Sequence, residues 1–134
     1  MKTVLIVEDQ PSNMQVFCLL FSSRGYKVLE AATGQEAMEA CGRFDGPIDL
    51  MLCDVTLPDV SGTKLALELV KSHPEASILF VSGIPQDGWS NAELHDFRQL
   101  PPGSADSLEK PFRPAALEAK VEDLLTRHGS AVTV

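Results

Sequence analysis

The residues best suited to chemistry are few, and they stand at or just beyond the ends of strand-like runs. Glu8 and Asp9 follow Thr3-Val4-Leu5-Ile6-Val7, Asp54 follows Leu50-Met51-Leu52-Cys53, and Ser82 follows Ile78-Leu79-Phe80-Val81; Lys110 follows the less regular stretch around Ala105 to Leu108. Taken singly, the acidic pair reads equally as a polar loop or helix cap before Pro11, Ser82 as a turn residue before Gly83, and Lys110 as a solvated charge. Asp54 resists so plain a reading, because a carboxylate at the end of an apolar run must be paired or only partly buried. Taken together, three carboxylates brought close repel one another unless a cation compensates. An incomplete, all-oxygen carboxylate set suits Mg²⁺, which keeps waters and shares its shell with phosphate. An aspartate beside such a cation can attack a phosphoryl group, and an ammonium and a hydroxyl can bind the phosphoryl oxygens.

Convergence of these side chains requires a particular scaffold. Four runs read as strands: 3–7, 26–29, 48–53 and 77–81. Three of them are nearly continuous in apolar residues, as strands buried on both faces are. Helical patterns alternate with them. Pro11 opens the first, Met14, Phe17, Cys18 and Phe21 form its stripe, and Gly25 closes it. Thr33 and Glu36 have capping-box spacing ahead of Ala37, Ala40, Cys41 and Phe44. A third helix runs from about Ser61 to Pro74, and a last one from about Pro114, carrying Leu117, Val121, Leu124 and Leu125, to near His128-Gly129. Between Gly83 and Ser107, Pro85 and Gly88 mark a turn and Ser90 with Glu93 can cap a helix bearing Leu94 and Phe97. Pro101 to Ser104 must be loop, and a short fifth strand is expected at about 105–108. Alternation of this kind implies a parallel sheet covered on both faces, with the ligand site at the carboxyl ends of its strands.

Composition is consistent with this scaffold. A chain of 134 residues, 44% hydrophobic and 22% charged, suits one globular domain. Its formal charge of −8, without a basic cluster, leaves no surface to neutralise phosphates and speaks against direct nucleic-acid binding. Cys18, Cys41 and Cys53 sit within apolar patterns and read as small hydrophobes in a reducing compartment. No run approaches the roughly 18 apolar residues of a membrane span, and no signal-peptide pattern leads the chain, so no membrane association and a cytoplasmic location are expected.

In order and spacing, VLIVEDQPSN, DLMLCDVTLPDVSG, SILFVSG and LEKPF resemble the motifs of receiver domains of two-component response regulators, over about Lys2 to Leu125. The resemblance implies a flavodoxin-like (βα)5 doubly wound parallel sheet of strand order 2-1-3-4-5, a receiver domain at 1–128 and a disordered tail at 129–134. It implies that Asp54 is the phosphoacceptor, that Asp9 and Asp54 bind Mg²⁺ directly, that Glu8 reaches it through water, and that Thr56 contributes its backbone carbonyl. Pro58 and Gly62 match the turn into the third helix, and a cis bond is implied between Lys110 and Pro111. The implied donor is a phosphohistidine of a histidine kinase or histidine phosphotransfer protein. The domain itself would catalyse the transfer and, in some members, a slow self-dephosphorylation, without being an enzyme in the turnover sense. Ser82 would then move toward the phosphoryl group and alter the face formed by the fourth helix, fifth strand and fifth helix, where an unidentified downstream protein binds. With the chain ending just after the last helix, output is expected through a protein partner, onward phosphotransfer or a parent chain.

Two departures stand out. Ser107 replaces the family's usual aromatic residue three positions before the lysine, and the stretch between Ser82 and Lys110 is longer than in compact stand-alone receivers, more like receivers of hybrid histidine kinases. Trp89 reads as a partly exposed anchor for the fourth helix, and His73, His95 and His128 as surface residues. An alternative from another class is a pseudo-receiver, a protein-binding module that keeps the fold but works without phosphorylation. A small hydrolase using the same acids has no separate general base or substrate pocket in the sequence to support it.

Overall fold

A computed structural model describes residues 1–133 of the chain. Five strands, β1 (Thr3–Val7), β2 (Lys27–Ala31), β3 (Leu50–Asp54), β4 (Ser77–Ser82) and β5 (Ala105–Glu109), pair in parallel in the order β2-β1-β3-β4-β5. Helices α1 (Pro11–Ser23), α2 (Gly34–Arg43), α3 (Gly62–Ser72), α4 (Asn91–Gln99) and α5 (Pro114–Thr133) form the crossovers, and a single 3₁₀ turn, Gln86–Gly88, precedes α4. The flavodoxin-like architecture and strand order expected above are those observed.

The runs that are continuously apolar become the three inner strands. Every residue of β1 and β4, and the first four of β3, are buried, whereas the edge strands β2 and β5 are largely half-exposed. Alternation divides the core in two. Leu5, Val7, Met51, Cys53, Ile78 and Phe80 face α2, α3 and α4, while Val4, Ile6, Leu50, Leu52, Leu79 and Val81 face α1 and α5. Each large side chain buried in this way contributes about 1.5–3 kcal/mol. This double burial fixes the backbone of the inner strands, and therefore the direction in which their carboxyl ends deliver side chains.

Element boundaries differ from expectation where hydrogen bonds leave the ladder. Tyr26 gives its N–H to the Phe21 carbonyl at 3.1 Å and packs edge-on against the Phe21 ring, so β2 begins one residue later. Ile48 is fully buried, but its N–H goes to Glu75 Oε2 at 3.2 Å, and β3 starts only at Leu50. Helix α5 continues past His128–Gly129 to Thr133; of the tail set apart at 129–134, Val134 lies outside the described residues. Trp89 is not partly exposed but buried, in edge contact with Phe80 and Phe97. Nor are all three histidines on the surface. His128 is buried with Nε2 3.3 Å from the Pro74 carbonyl oxygen, and His73 is mostly covered, with Nδ1 3.2 Å from Glu75 Oε2; only His95 is exposed.

Candidate functional site

Glu8 is the first residue beyond β1, and its N–H still bonds to the Ala31 carbonyl, which extends the strand's rigidity to the acid itself. Its side chain is 1% exposed. Burial of a carboxylate demands partners, and it has two: Oε2 accepts the Gln10 N–H at 3.0 Å, and Oε1 lies 3.2 Å from Lys110 Nζ. Asp54 ends β3, and its side chain is 15% exposed. Its Oδ2 accepts from Lys110 Nζ at 3.0 Å and its Oδ1 from the Thr56 N–H at 3.2 Å. Asp9 completes the group. One oxygen of each of Glu8, Asp9 and Asp54 lies within 4.8 Å of the others.

Lys110 reaches this pocket because its backbone is tied to the end of β4: its N–H donates to the Ser82 carbonyl at 2.7 Å, and the bond to Pro111 is cis. Burial works to lower the Lys110 ammonium, but hydrogen bonds and charge from Asp54 and Glu8 outweigh it and hold the group above the ordinary lysine range. Three carboxylates against one ammonium still leave an excess of negative charge on oxygens spaced for a small ion. The pocket therefore fits a hard divalent cation of the Mg²⁺ type by donor chemistry as well as by spacing.

The wall behind Asp54 is tightly made. Gly62 N–H donates to the Val55 carbonyl at 2.7 Å, and Thr56 bridges Ser61 across the turn. A Cβ on Gly62 would lie 2.2 Å from the Asp54 carbonyl oxygen and 2.9 Å from Cys53 Sγ, so only glycine allows this approach. Burial pushes the Cys53 thiol well up, with the negative charge of Asp54 and Glu8 adding to it, so Cys53 acts as packing. Asp59, not singled out from the sequence, accepts the N–H groups of Gly34 and Gln35 at 2.9 and 3.0 Å and thereby clips this turn to the start of α2. Its one advance signal was an acid near a predicted helix start, which depends on a contact 25 residues away.

Ser82 ends β4 one residue after Val81, which lies opposite Asp54 in the register. Its Oγ accepts the Ile84 N–H at 3.1 Å. Ser107 does not point a ring toward this corner; its hydroxyl donates to Gln86 Oε1 at 3.0 Å. Thus Glu8, Asp9, Asp54, Thr56, Ser82 and Lys110 gather at the carboxyl edge of the sheet. His73 and His128, which contact the Pro74–Glu75 turn ahead of β4, lie at the opposite edge.

Comparison with known proteins agrees with the geometry. A family model described as the response regulator receiver domain matches residues 4–122. The chain is 36% identical over 126 residues to the sensor kinase CckA of Brucella abortus, covering 93% of this chain and 13% of that protein. It is 30% identical over 131 residues to the aerobic respiration control protein ArcA of Escherichia coli K12, covering 98% of this chain and 51% of that one. The chain therefore spans about half or less of the length of these relatives. Among solved structures, a CheY-like receiver domain protein from Methanospirillum hungatei superposes with TM-score 0.82 at 26% identity, covering 98% of each chain. The receiver domain of the hybrid histidine kinase CckA gives 0.67 at 29% identity, covering 92% of this chain and 98% of that one.

Proposed function

From the premise that the chain belongs to the response regulator receiver domain family of two-component signalling, we propose that it accepts a phosphoryl group on Asp54 from a phosphohistidine partner. The observation that carries this reading is Lys110 Nζ set between Asp54 Oδ2 and Glu8 Oε1, with Asp9 adjacent, at the mouth of a doubly buried strand.

In the transfer, the phosphorus–nitrogen bond to the donor imidazole breaks, its electron pair stays with the ring, and a phosphorus–oxygen bond forms to an Asp54 carboxylate oxygen. Thr56 N–H and Lys110 hold the carboxylate so that it presents one orientation to the incoming phosphorus. Lys110 and the Ser82 hydroxyl then bind phosphoryl oxygens. A Mg²⁺ ion held by Asp9, Asp54, the Thr56 carbonyl and, through water, Glu8 would neutralise phosphoryl charge during the transfer. The chain is thus a phosphoacceptor that promotes its own modification, and hydrolysis of the acyl phosphate would reset it.

The partners that follow are a histidine kinase or histidine phosphotransfer protein upstream and a protein reading the α4, β5 and α5 face downstream. The formal charge of −8 argues against direct contact with nucleic acid, and among the described residues no helix is long and apolar enough to cross a membrane. The resemblance to CckA supports a phosphorelay setting in which a receiver works beside a kinase. Incubation with acetyl phosphate and Mg²⁺ should introduce one acid-labile phosphate per chain, and Asp54→Asn should introduce none. The competing reading, a binding module indifferent to phosphorylation, draws on Ser107; it would gain if wild type remained unmodified and a partner bound Asp54→Asn equally well.

A further inference from the structure

The turn between β4 and α4 carries a chain of contacts that phosphate binding itself does not need. Ser82 Oγ accepts the Ile84 N–H at 3.1 Å, and the Ile84 carbonyl accepts the indole N–H of Trp89 at 3.2 Å. One peptide-linked residue therefore joins the hydroxyl at the site to the buried indole. Trp89 in turn lies edge-on to Phe80 of β4 at 5.8 Å and to Phe97 of α4 at 5.7 Å, between the sheet and the helix. Between these points the turn is held by one side-chain pair, Ser107 Oγ donating to Gln86 Oε1 at 3.0 Å. The backbone bonds from Gly88 N–H to the Pro85 carbonyl at 2.8 Å and from Trp89 N–H to the Gln86 carbonyl at 3.1 Å stay within the turn itself. Gly83, Ile84, Pro85, Asp87 and Gly88 are exposed, so little packing opposes movement of the turn as a unit. A cavity of about 210 Å³ lined by Ser82, Ile84, Gln86, Trp89 and Ser107 gives the segment room to shift.

We propose that Trp89 reads the position of the Ser82 hydroxyl through Ile84, with the Gln86–Ser107 pair as the latch that holds the resting state. This inference rests on Asp54 being the phosphoacceptor. When the hydroxyl turns to donate its proton to a phosphoryl oxygen, Oγ leaves the Ile84 N–H. Ile84 is then free to rotate about its backbone, which carries its carbonyl away from the indole, and Trp89 repacks against Phe97, which moves α4 relative to β4. Ser107 serves this chain as a latch residue, and Gln86 and Trp89 as positioning residues.

The chain has a single tryptophan, so its fluorescence reports on Trp89 alone. Beryllofluoride with Mg²⁺ should change the emission of wild type in step with a bound fluorine NMR signal, and the change should vanish in Asp54→Asn. Ser82→Ala has already lost the acceptor of the Ile84 N–H. Its emission without beryllofluoride should therefore lie toward the activated value, and at equal bound fluorine signal beryllofluoride should not change it further. Ser107→Ala should lower the beryllofluoride concentration at half-saturation by about two- to tenfold, the worth of one neutral hydrogen bond in the resting state. No bound fluorine signal in wild type would defeat the phosphoacceptor reading and this one with it. A bound signal with silent emission, or an unaltered response in Ser82→Ala, would defeat the coupling alone; an unchanged half-saturation in Ser107→Ala would remove the latch.

Discussion

Two turns leave adjacent parallel strands at the same edge of the sheet, and they are built in opposite ways. The turn after Asp54 (residues 55–61) buries Val55 and Leu57, clips Asp59 to α2, and brings Gly62 against the Asp54 backbone. The turn after Ser82 (residues 83–88) leaves Ile84 56% exposed and, apart from its own backbone bonds, is tied by side-chain hydrogen bonds at Ser82, Gln86 and Trp89. The first holds a carboxylate still; the second can yield when a neighbouring hydroxyl moves. Under the proposed phosphoacceptor role, a site that both orients an acceptor and reports on its state needs a rigid wall beside a compliant one.

Matched substitutions in the two turns separate these roles. The largest contrast is expected between Leu57→Ala and Ile84→Ala. Truncating Leu57, 7% exposed within the α2–α3–α4 core, should cost about 2–5 kcal/mol. Truncating the exposed Ile84 should stay within about 0.5 kcal/mol. Urea denaturation measures both, and equal losses would erase the distinction. Next in size is the glycine pair. Gly62→Ala forces a methyl to within 2.2 Å of the Asp54 carbonyl oxygen and should cost about 1–3 kcal/mol while slowing acetyl phosphate uptake. Gly83→Ala meets nothing within 4 Å and should be neutral or stabilising by up to about 1 kcal/mol. A Gly62→Ala chain that kept full stability and uptake would show that the wall behind Asp54 has slack.

The same contrast explains what could be read before any coordinates. Glu8, Asp9 and Asp54 were legible because a carboxylate after an apolar run is costly unless it is paired, and because strand-helix alternation dictates which edge they share. The inner strands were legible for the related reason that burial on both faces requires continuous apolar runs. The Ser82 turn was not. Gln86 and Ser107 are ordinary polar residues 21 positions apart whose meeting depends on the path of a loop. Trp89 reads from sequence as a partly exposed anchor and His128 as a surface residue because their burial comes from Phe80 and Phe97 in one case and from Pro74 in the other, all distant in sequence or on another element. Asp59 escaped notice for the same reason: its partners belong to a helix that ends before β3 begins. Two warnings came from this region: Ser107, a departure from the family pattern without an evident replacement, and the added length between Ser82 and Lys110.

Asp59 offers the finest test of the rigid turn. The Gly34 N–H, and then the Gln35 N–H, hold its carboxyl below the ordinary aspartate range of about 3.9. A carboxylate depressed in the folded chain stabilises the fold above its unfolded value and loses that contribution as pH falls through its folded value. Its share is therefore constant at neutral pH and declines only below about pH 4. Asp59→Asn keeps the shape but accepts through one oxygen instead of two, so it should be less stable than wild type at pH 7, with the gap closing by pH 3. Urea midpoints of the two proteins across this range measure the gap directly. The Ser82 turn has no comparable clip to titrate, and the Gln86–Ser107 pair is neutral at any pH in this window. A gap that stays constant from pH 7 to pH 3 would mean that Asp59 acts only through its shape, and that the two turns differ in packing but not in electrostatic anchoring.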